Sequence, residues 1–145
     1  MVKFVDIETP YAAIDEERIR RNLLYARACV RDSLIRDEVP FASHLFYTQP
    51  GILDDNIFKE REMGINAGKE LIESLPGIVT VVYEDLGISR GMKFGIERAQ
   101  NNGRTVEYRT LGQGWEEKEL EIAEKHSHAS LWGFNNYKKK QKSSS

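Results

Sequence analysis

Alternating and helical hydrophobic patterns follow one another along the first part of the chain. Residues 3–7 alternate between polar and apolar side chains and predict a first strand. Asp15 then provides a suitable N-cap for a helix. Apolar side chains recur behind it at steps of three or four, which is typical of one face of a long helix. That face consists of Ile19, Leu23, Ala26, Val30 and Leu34.

The two patterns keep alternating as far as residue 125. Residues 78–83 are apolar on both faces, as expected for a central strand covered by helices on each side. Strands separated by helices imply parallel pairing with right-handed crossovers. The sequence therefore predicts an α/β domain, a three-layer parallel sheet of the flavodoxin type. The remaining predicted elements are a strand over 39–45 that runs into a loop, a helix from about Phe58 to Leu75, a helix from Arg90 to Asn101, a strand over 105–108 and a helix over 116–125.

Length and charge restrict the classes of protein that need to be considered. The 145 residues fit one domain over 1–137, with a helical extension from about residue 115 and a disordered basic tail over 138–145. A net charge of −2 argues against nucleic-acid binding. No apolar run is long enough to cross a membrane, and Cys29 has no partner for a disulfide. We expect a cytoplasmic protein.

Residues that follow the predicted strands should meet at the carboxyl edge of the sheet, where open parallel sheets bind ligands. The most informative segment is Ser89-Arg90-Gly91-Met92, in which Ser89 can cap the following helix and Gly91 leaves its first turn open. Free backbone amides and the helix dipole make such a turn an anion site. The alternative interpretation is a capped helix start with no ligand.

Five further side chains, from four segments of the chain, are candidates for this edge. Tyr11, which follows Pro10, could stack on a base, and Ser43-His44 could donate to a phosphate or sugar oxygen. Arg61 could bind an anion, and Asp85 could orient a sugar hydroxyl. A rim aromatic, a packed histidine, a surface ion pair and a loop cap are the respective alternatives.

Cofactor and metal motifs are missing from the sequence. Neither the phosphate-binding G-x-x-x-x-G-K-[ST] loop nor the dinucleotide G-x-G-x-x-G fingerprint is present, so no cofactor is predicted. His126 and His128 have no third ligand nearby, so no metal site is predicted. Cys29 lies within a predicted helix and is not a credible nucleophile.

Several short motifs occur in an order that resembles a known superfamily. They are Pro10-Tyr11, Asn22 and Ala26 on the first helix, Pro40-Phe41-Ala42-Ser43-His44-Leu45, Arg61-Glu62, Ser89-Arg90-Gly91-Met92 and Ala99. Over about residues 4–110 the chain resembles the nucleoside 2-deoxyribosyltransferase-like superfamily. The nearest similarity is to a branch common in phage and prophage sequences that carries "PHL" and "S-x-GM" patterns.

The resemblance implies a chemistry and also a missing residue. Enzymes of the superfamily cleave or exchange N-glycosidic bonds with a Glu four residues after the Gly of the "GM" pair, and that position here is Gly95. Glu97 is two residues further on, which turns its side chain roughly 200° around the helix. Asp85 is then the best remaining acid. This pattern suggests that the scaffold is kept and the nucleophile lost.

The leading hypothesis is therefore binding of a nucleotide or ADP-ribose-like ligand. By analogy with the resemblance, such a protein could be phage-encoded and could sequester a nucleotide immune signal in the bacterial cytoplasm. The alternatives are an N-glycosidase or deoxyribosyltransferase that uses Asp85 or Glu97, and a purely structural interaction protein. The resemblance also implies a homo-oligomer, for which the aromatic side chains Trp115, Trp132, Phe134 and Tyr137 offer surface.

Overall fold

Strands and helices alternate in a computed structural model that describes residues 2–126. The elements are β1 (Phe4–Glu8), α1 (Glu16–Ile35), β2 (Val39–Phe41), α2 (Ser43–Tyr47), α3 (Phe58–Glu73), β3 (Val79–Tyr83), α4 (Arg90–Asn101), β4 (Val106–Arg109) and α5 (Trp115–Lys125). The strands form one parallel sheet in the order β2-β1-β3-β4. The predicted flavodoxin-like α/β fold is confirmed.

The chain divides into two compact units. Of the described residues, those up to 113 contain the sheet with α1 to α4, and those from 114 onwards contain α5. Helix α5 begins after Gly114, has Glu116 and Glu117 in its first turn, and ends with Lys125, which suits the helix dipole. The predicted basic tail and the aromatic residues 132, 134 and 137 lie outside the described residues. Within residues 2–126, no helix has both the length and the apolar character required to span a bilayer.

The strand order gives the sheet two different faces. Right-handed crossovers place α1 on one face and both α3 and α4 on the other. Side chains of β3 alternate accordingly: the Tyr83 hydroxyl donates to Asp32 of α1 at 2.8 Å, whereas Val82 packs against Met92 and Ile96 of α4. All four strands are parallel, but the strand order grows outwards in opposite directions from β1 and from β3, so the crevice expected to hold ligands lies at their carboxyl ends.

The helices α1 and α4 can be compared with the prediction through their N-caps and their buried faces. The Asp15 carboxylate accepts from the Arg18 amide at 2.8 Å and caps α1, as predicted. The buried face of α1 is rotated from the predicted one, because Leu34 is exposed while Tyr25 and Cys29 are fully buried. In α4, Met92, Ile96 and Ala99 are buried as predicted.

The second strand is shorter than predicted. Strand β2 ends at Phe41, and residues 43–47 form the short helix α2. The prediction of one strand over 39–45 is wrong because a short apolar run does not distinguish a strand from a helical turn. His44 therefore lies on a helix and not at the end of a strand.

Candidate functional site

A cleft of about 570 Å³ opens between α3 and α4 at the carboxyl ends of β1 and β3. Such a volume lies within the range of small-molecule sites. Among the residues that line it are eight of the predicted ligand-binding residues: Tyr11, Ser43, His44, Arg61, Ser89, Arg90, Gly91 and Met92. The other lining residues were not predicted to bind the ligand, and they include Glu8, Thr9, Lys69, Phe94, Gly95 and Arg98.

The most consequential of the missed residues is Glu8, the last residue of β1. Its carboxyl lies directly against Gly95 of α4, where an added Cβ atom would be 2.5 Å from Glu8 Cδ and 2.8 Å from Oε2. No real Cβ approaches that closely, so the glycine leaves the room that the carboxyl occupies. The cleft therefore contains an acid next to the glycine at position 95, and this acid comes from the strand and not from the helix.

A second acid lies beneath Glu8 on the same face of β1. Asp6 is buried and its carboxyl accepts a hydrogen bond from Thr80 Oγ1 at 3.1 Å. Burial raises the pKa of Asp6 to about 6. Burial also raises the pKa of Glu8 well above its usual value, and the charge of Asp6 raises it further, whereas Arg98 and Arg104 lower it. The half-buried Glu8 therefore lines the floor of the cleft, and the buried Asp6 lies beneath it on the same face of β1.

Cationic side chains surround the cleft above these acids. Arg61 and Lys69 belong to α3, and Arg90 and Arg98 belong to α4. The Arg90 guanidinium lies 5.7 Å from the centre of the exposed Phe94 ring, and Arg61 is 3.9 Å from an Asp55 oxygen. Because the Arg61–Asp55 pair is loose, the charge of Arg61 remains able to attract an anion together with the other cations of the cleft.

The first turn of α4 is capped and open on its outer side. Ser89 Oγ accepts from the Met92 amide at 3.3 Å, so the predicted capping interaction is present. Gly91 is exposed, and a Cβ atom added there would meet no atom within 4 Å. The turn therefore presents its amides to the cleft without steric obstruction.

His44 and Tyr11 form the wall opposite α4. His44 Nε2 and Thr9 Oγ1 are hydrogen bonded at 2.6 Å, and the Tyr11 ring meets the imidazole edge-on at 6.4 Å. Burial lowers the pKa of His44 to about 4. The imidazole is therefore neutral at pH 7 and can take part in hydrogen bonds, but it contributes no positive charge.

Asp85 lies outside the cleft, contrary to prediction. Its carboxylate accepts from the Tyr25 hydroxyl at 2.5 Å and from the Leu111 and Gly112 amides at 2.9 and 3.0 Å. These bonds tie the loop after β3 to the loop after β4. Asp85 therefore organises loops, and Pro10 lines a separate cavity beside it.

Glu97 is also absent from the cleft. It is exposed on α4, and its side chain does not line the cavity, as the helical periodicity indicates. Within residues 2–126, no group of three His, Cys, Asp or Glu side chains is arranged to hold a metal ion. Cys29 is buried in α1, and His128 lies outside the described residues.

A sequence signal for Glu8 existed in the period-2 pattern of β1. Asp6 and Glu8 are two residues apart and therefore share one face of the strand. An acid that ends the first strand is also the residue closest to the crevice in this topology. The predicted strand ends at Ile7, one residue before the acid.

Comparisons with known proteins identify a family for the domain that carries this cleft. Neither the curated proteins nor the solved structures contain a significant match to the chain. One family model matches residues 3–109, which include the whole sheet and every residue that lines the cleft. The chain belongs to that family, which is described as a domain of unknown function, DUF7768.

Proposed function

We propose that the domain binds a nucleotide or ADP-ribose-like ligand in the cleft between α3 and α4. The observation that carries the proposal is the cation-lined cleft at the switch point of the sheet, with the open first turn of α4 at its side. Phosphate groups suit this combination of backbone amides and long basic side chains. A volume of about 570 Å³ accommodates a nucleoside phosphate.

The chemistry of the floor supports a sugar next to the phosphate. Glu8 can donate a hydrogen bond when protonated and accept one when ionised, and sugar hydroxyls do both. Ser43 and Thr9 add further hydroxyl groups to the same wall. The resemblance to nucleoside deoxyribosyltransferases extends the proposal to a homo-oligomer and to a phage protein that sequesters a nucleotide immune signal.

Ligand-induced stabilisation tests the binding proposal. We expect nucleoside phosphates or ADP-ribose to raise the melting temperature, because a ligand at 100 times its dissociation constant adds about 2.7 kcal/mol to the free energy of unfolding. The Arg90→Gln variant should lose much of this gain, since Arg90 lines the cleft. Lys93→Gln is the matched control, because Lys93 is an exposed cation of the same helix that does not line the cleft. Equal loss in both variants would contradict the proposal.

The position of Glu8 supports a second candidate function, cleavage of the ligand's N-glycosidic bond. Its carboxyl lies against Gly95, the position at which the resemblance places the nucleophile. In this reaction the Glu8 carboxylate bonds to the anomeric carbon while the bond from that carbon to the base breaks. The departing base keeps the electron pair and takes a proton from water. A second water then releases the sugar and restores Glu8.

Recovery of the ligand after incubation separates the two functions. Intact ligand after denaturation indicates binding alone, whereas free base with sugar phosphate indicates cleavage. If cleavage occurs, Glu8→Gln should abolish it while binding persists. The rate should also rise with pH through the raised pKa of Glu8, because only the ionised carboxylate is nucleophilic. A rate that falls with increasing pH would exclude Glu8 as the nucleophile.

A further inference from the structure

A second cavity of about 590 Å³ adjoins the cleft. We call it the outer lobe. The two spaces share the wall residues Tyr11, Ala12, Asp55 and Arg61, so they meet at the Asp55–Arg61 pair. Because that pair is separated by 3.9 Å and its side chains are part-exposed, it forms a weak partition. One ligand can therefore extend from the cleft into the outer lobe.

The outer lobe differs from the cleft in charge and in wall chemistry. Its acidic side chains are Asp54, Asp55 and Glu60, against the single cation Arg61. The cleft has four cations against two acids, and one of those acids, Glu8, has a raised pKa. Apolar surface of the outer lobe comes from Tyr11 and from Ile19, Ile52 and Leu53. A flat ring with hydrogen-bond donors on its edge fits such walls.

The carboxylates of the outer lobe retain capacity to accept hydrogen bonds. Asp54 Oδ1 accepts from the Asn56 amide at 2.9 Å, and Glu60 Oε1 accepts from the Asp54 amide at 3.3 Å. A carboxylate has about four lone-pair positions, so each of the two can accept further hydrogen bonds. An amino group is the complementary partner, because a carbonyl oxygen facing these groups would be repelled.

We propose that the ligand is a nucleoside phosphate whose base carries an exocyclic amino group, with its phosphate in the cleft and its base in the outer lobe. This inference rests on the proposed binding function and specifies the class of base. Carboxylates accept hydrogen bonds from the amino groups of adenine and cytosine, and the Tyr11 ring is available to stack on either base.

Matched nucleotide pairs test the proposal by titration calorimetry on the full chain. AMP and IMP differ in an amino group replaced by a carbonyl, as do CMP and UMP. We expect the amino member of at least one pair to bind at least tenfold more tightly, which corresponds to about 1.4 kcal/mol. Glu60→Gln should reduce that ratio, because a carboxylate acceptor of the outer lobe is replaced by an amide. Glu62→Gln, an exposed neighbour on α3 that lines neither cavity, should leave it unchanged.

The possible results distinguish this inference from the proposed function. Equal binding within both pairs, or tighter binding of IMP and UMP, would overturn the amino-base proposal while leaving nucleotide binding intact. Loss of the preference in Glu62→Gln as much as in Glu60→Gln would overturn the placement of the base. If none of the four nucleotides binds, and ADP-ribose and inorganic phosphate do not bind either, the proposed function itself fails.

Discussion

The two faces of the sheet treat buried charge in opposite ways. On the α1 side, Arg109 meets Glu38 through two hydrogen bonds of 2.7 and 2.6 Å, and both side chains are buried. On the α3/α4 side, Asp6 and Glu8 have no ion pair within 4 Å among residues 2–126. The Arg109 guanidinium lowers the pKa of Glu38 to about 2, whereas burial raises the pKa of both acids on the other side.

The paired charges on the α1 side stabilise the fold, whereas the unpaired acids on the α3/α4 side remain available for a ligand. The α1 side joins several elements, since Lys3 contacts Glu107 at 2.9 Å and Glu38 at 3.3 Å, and Ser33 donates to Glu38 at 2.8 Å. The charged side chains Lys3, Glu38 and Arg109 on this side each bond to at least one side chain of opposite charge. Among the described residues, no cation forms an ion pair with Glu8 in the cleft or with Asp6 beneath it, and strongly perturbed acids in a cleft are typical of functional sites.

The largest expected effect follows from removal of Arg109. Arg109→Met removes both charged hydrogen bonds to the buried Glu38 and leaves only the part-exposed Lys3 as its cation, which should reduce the free energy of unfolding by about 3–5 kcal/mol. Urea unfolding of the variant and of the wild type at pH 7 measures this loss. Arg36→Met is the control, because Arg36 forms a part-exposed pair with Asp32, and its loss should cost under about 1 kcal/mol. Similar costs for the two variants would show that burial does not distinguish these pairs.

Replacement of Asp6 should act in the opposite direction. Its folded pKa of about 6 exceeds the usual 3.8, so the folded state holds the proton while the unfolded state releases it. The contribution of Asp6 to stability is therefore lost as pH rises from about 4 to 6, by up to about 3 kcal/mol. Asp6→Asn should remove this loss and raise stability at pH 7.

Unfolding curves recorded between pH 4 and 7 check the Asp6 prediction. Asp15→Asn serves as control, because Asn and Asp are equivalent helix caps and Asp15 is exposed. For Glu38 the sign is reversed: its lowered pKa contributes stability above about pH 4.5, which is lost as pH falls towards 2. His44, whose pKa is lowered to about 4, contributes the opposite slope over this range, so Asp6 is judged from the difference between Asp6→Asn and wild type. A difference that does not grow between pH 4 and 6 would show that Asp6 is ionised in the folded protein.

A smaller effect is expected where Glu8 and Gly95 compete for space. Gly95→Ala places a methyl group onto the Glu8 carboxyl and should cost about 1 kcal/mol despite the better helix propensity of alanine. In the Glu8→Ala background the same change should stabilise α4 by about 1 kcal/mol. A double-mutant cycle measures the difference. Additive effects of the two substitutions on the free energy of unfolding would show that the Glu8 carboxyl does not contact Gly95.

The smallest expected effect on stability concerns Gly91. Gly91→Ala meets no atom within 4 Å and lies in the first turn of α4, so stability should rise by about 0.5 kcal/mol. The added methyl group narrows the approach to the amides, so nucleotide affinity should fall even though the fold is stabilised. Scanning calorimetry of the variant measures its stability, and titration calorimetry measures its nucleotide affinity. Unchanged nucleotide affinity would show that the anion does not bind at the first turn of α4.

Local patterns were sufficient to predict the fold and part of the cleft. Period-2 and period-3.6 patterns gave the element order, and parallel topology then brought Tyr11, His44, Arg61 and Ser89 to one place. Boundaries failed at residues 42–45, where a short apolar segment suits either a strand or a helical turn.

Local sequence patterns could not predict that the acid of the cleft is Glu8 of β1. Whether Glu8 reaches Gly95 depends on how closely α4 approaches β1, and that distance follows from packing among many side chains. Asp85 was misplaced for a related reason: its partners Tyr25 and Leu111 lie far away along the chain. Sequence reasoning identified the edge of the sheet and not the pairs that form across it.

The contact between Glu8 and Gly95 has a consequence for the history of the family. Only one of these two positions can supply an acid, since each side chain would occupy the volume of the other. Homologous sequences should therefore covary, with a small residue at position 95 wherever position 8 is Glu, and an acid at position 95 where position 8 is small. Passage between the two arrangements requires paired substitutions, with glycine at position 95 as the permissive intermediate.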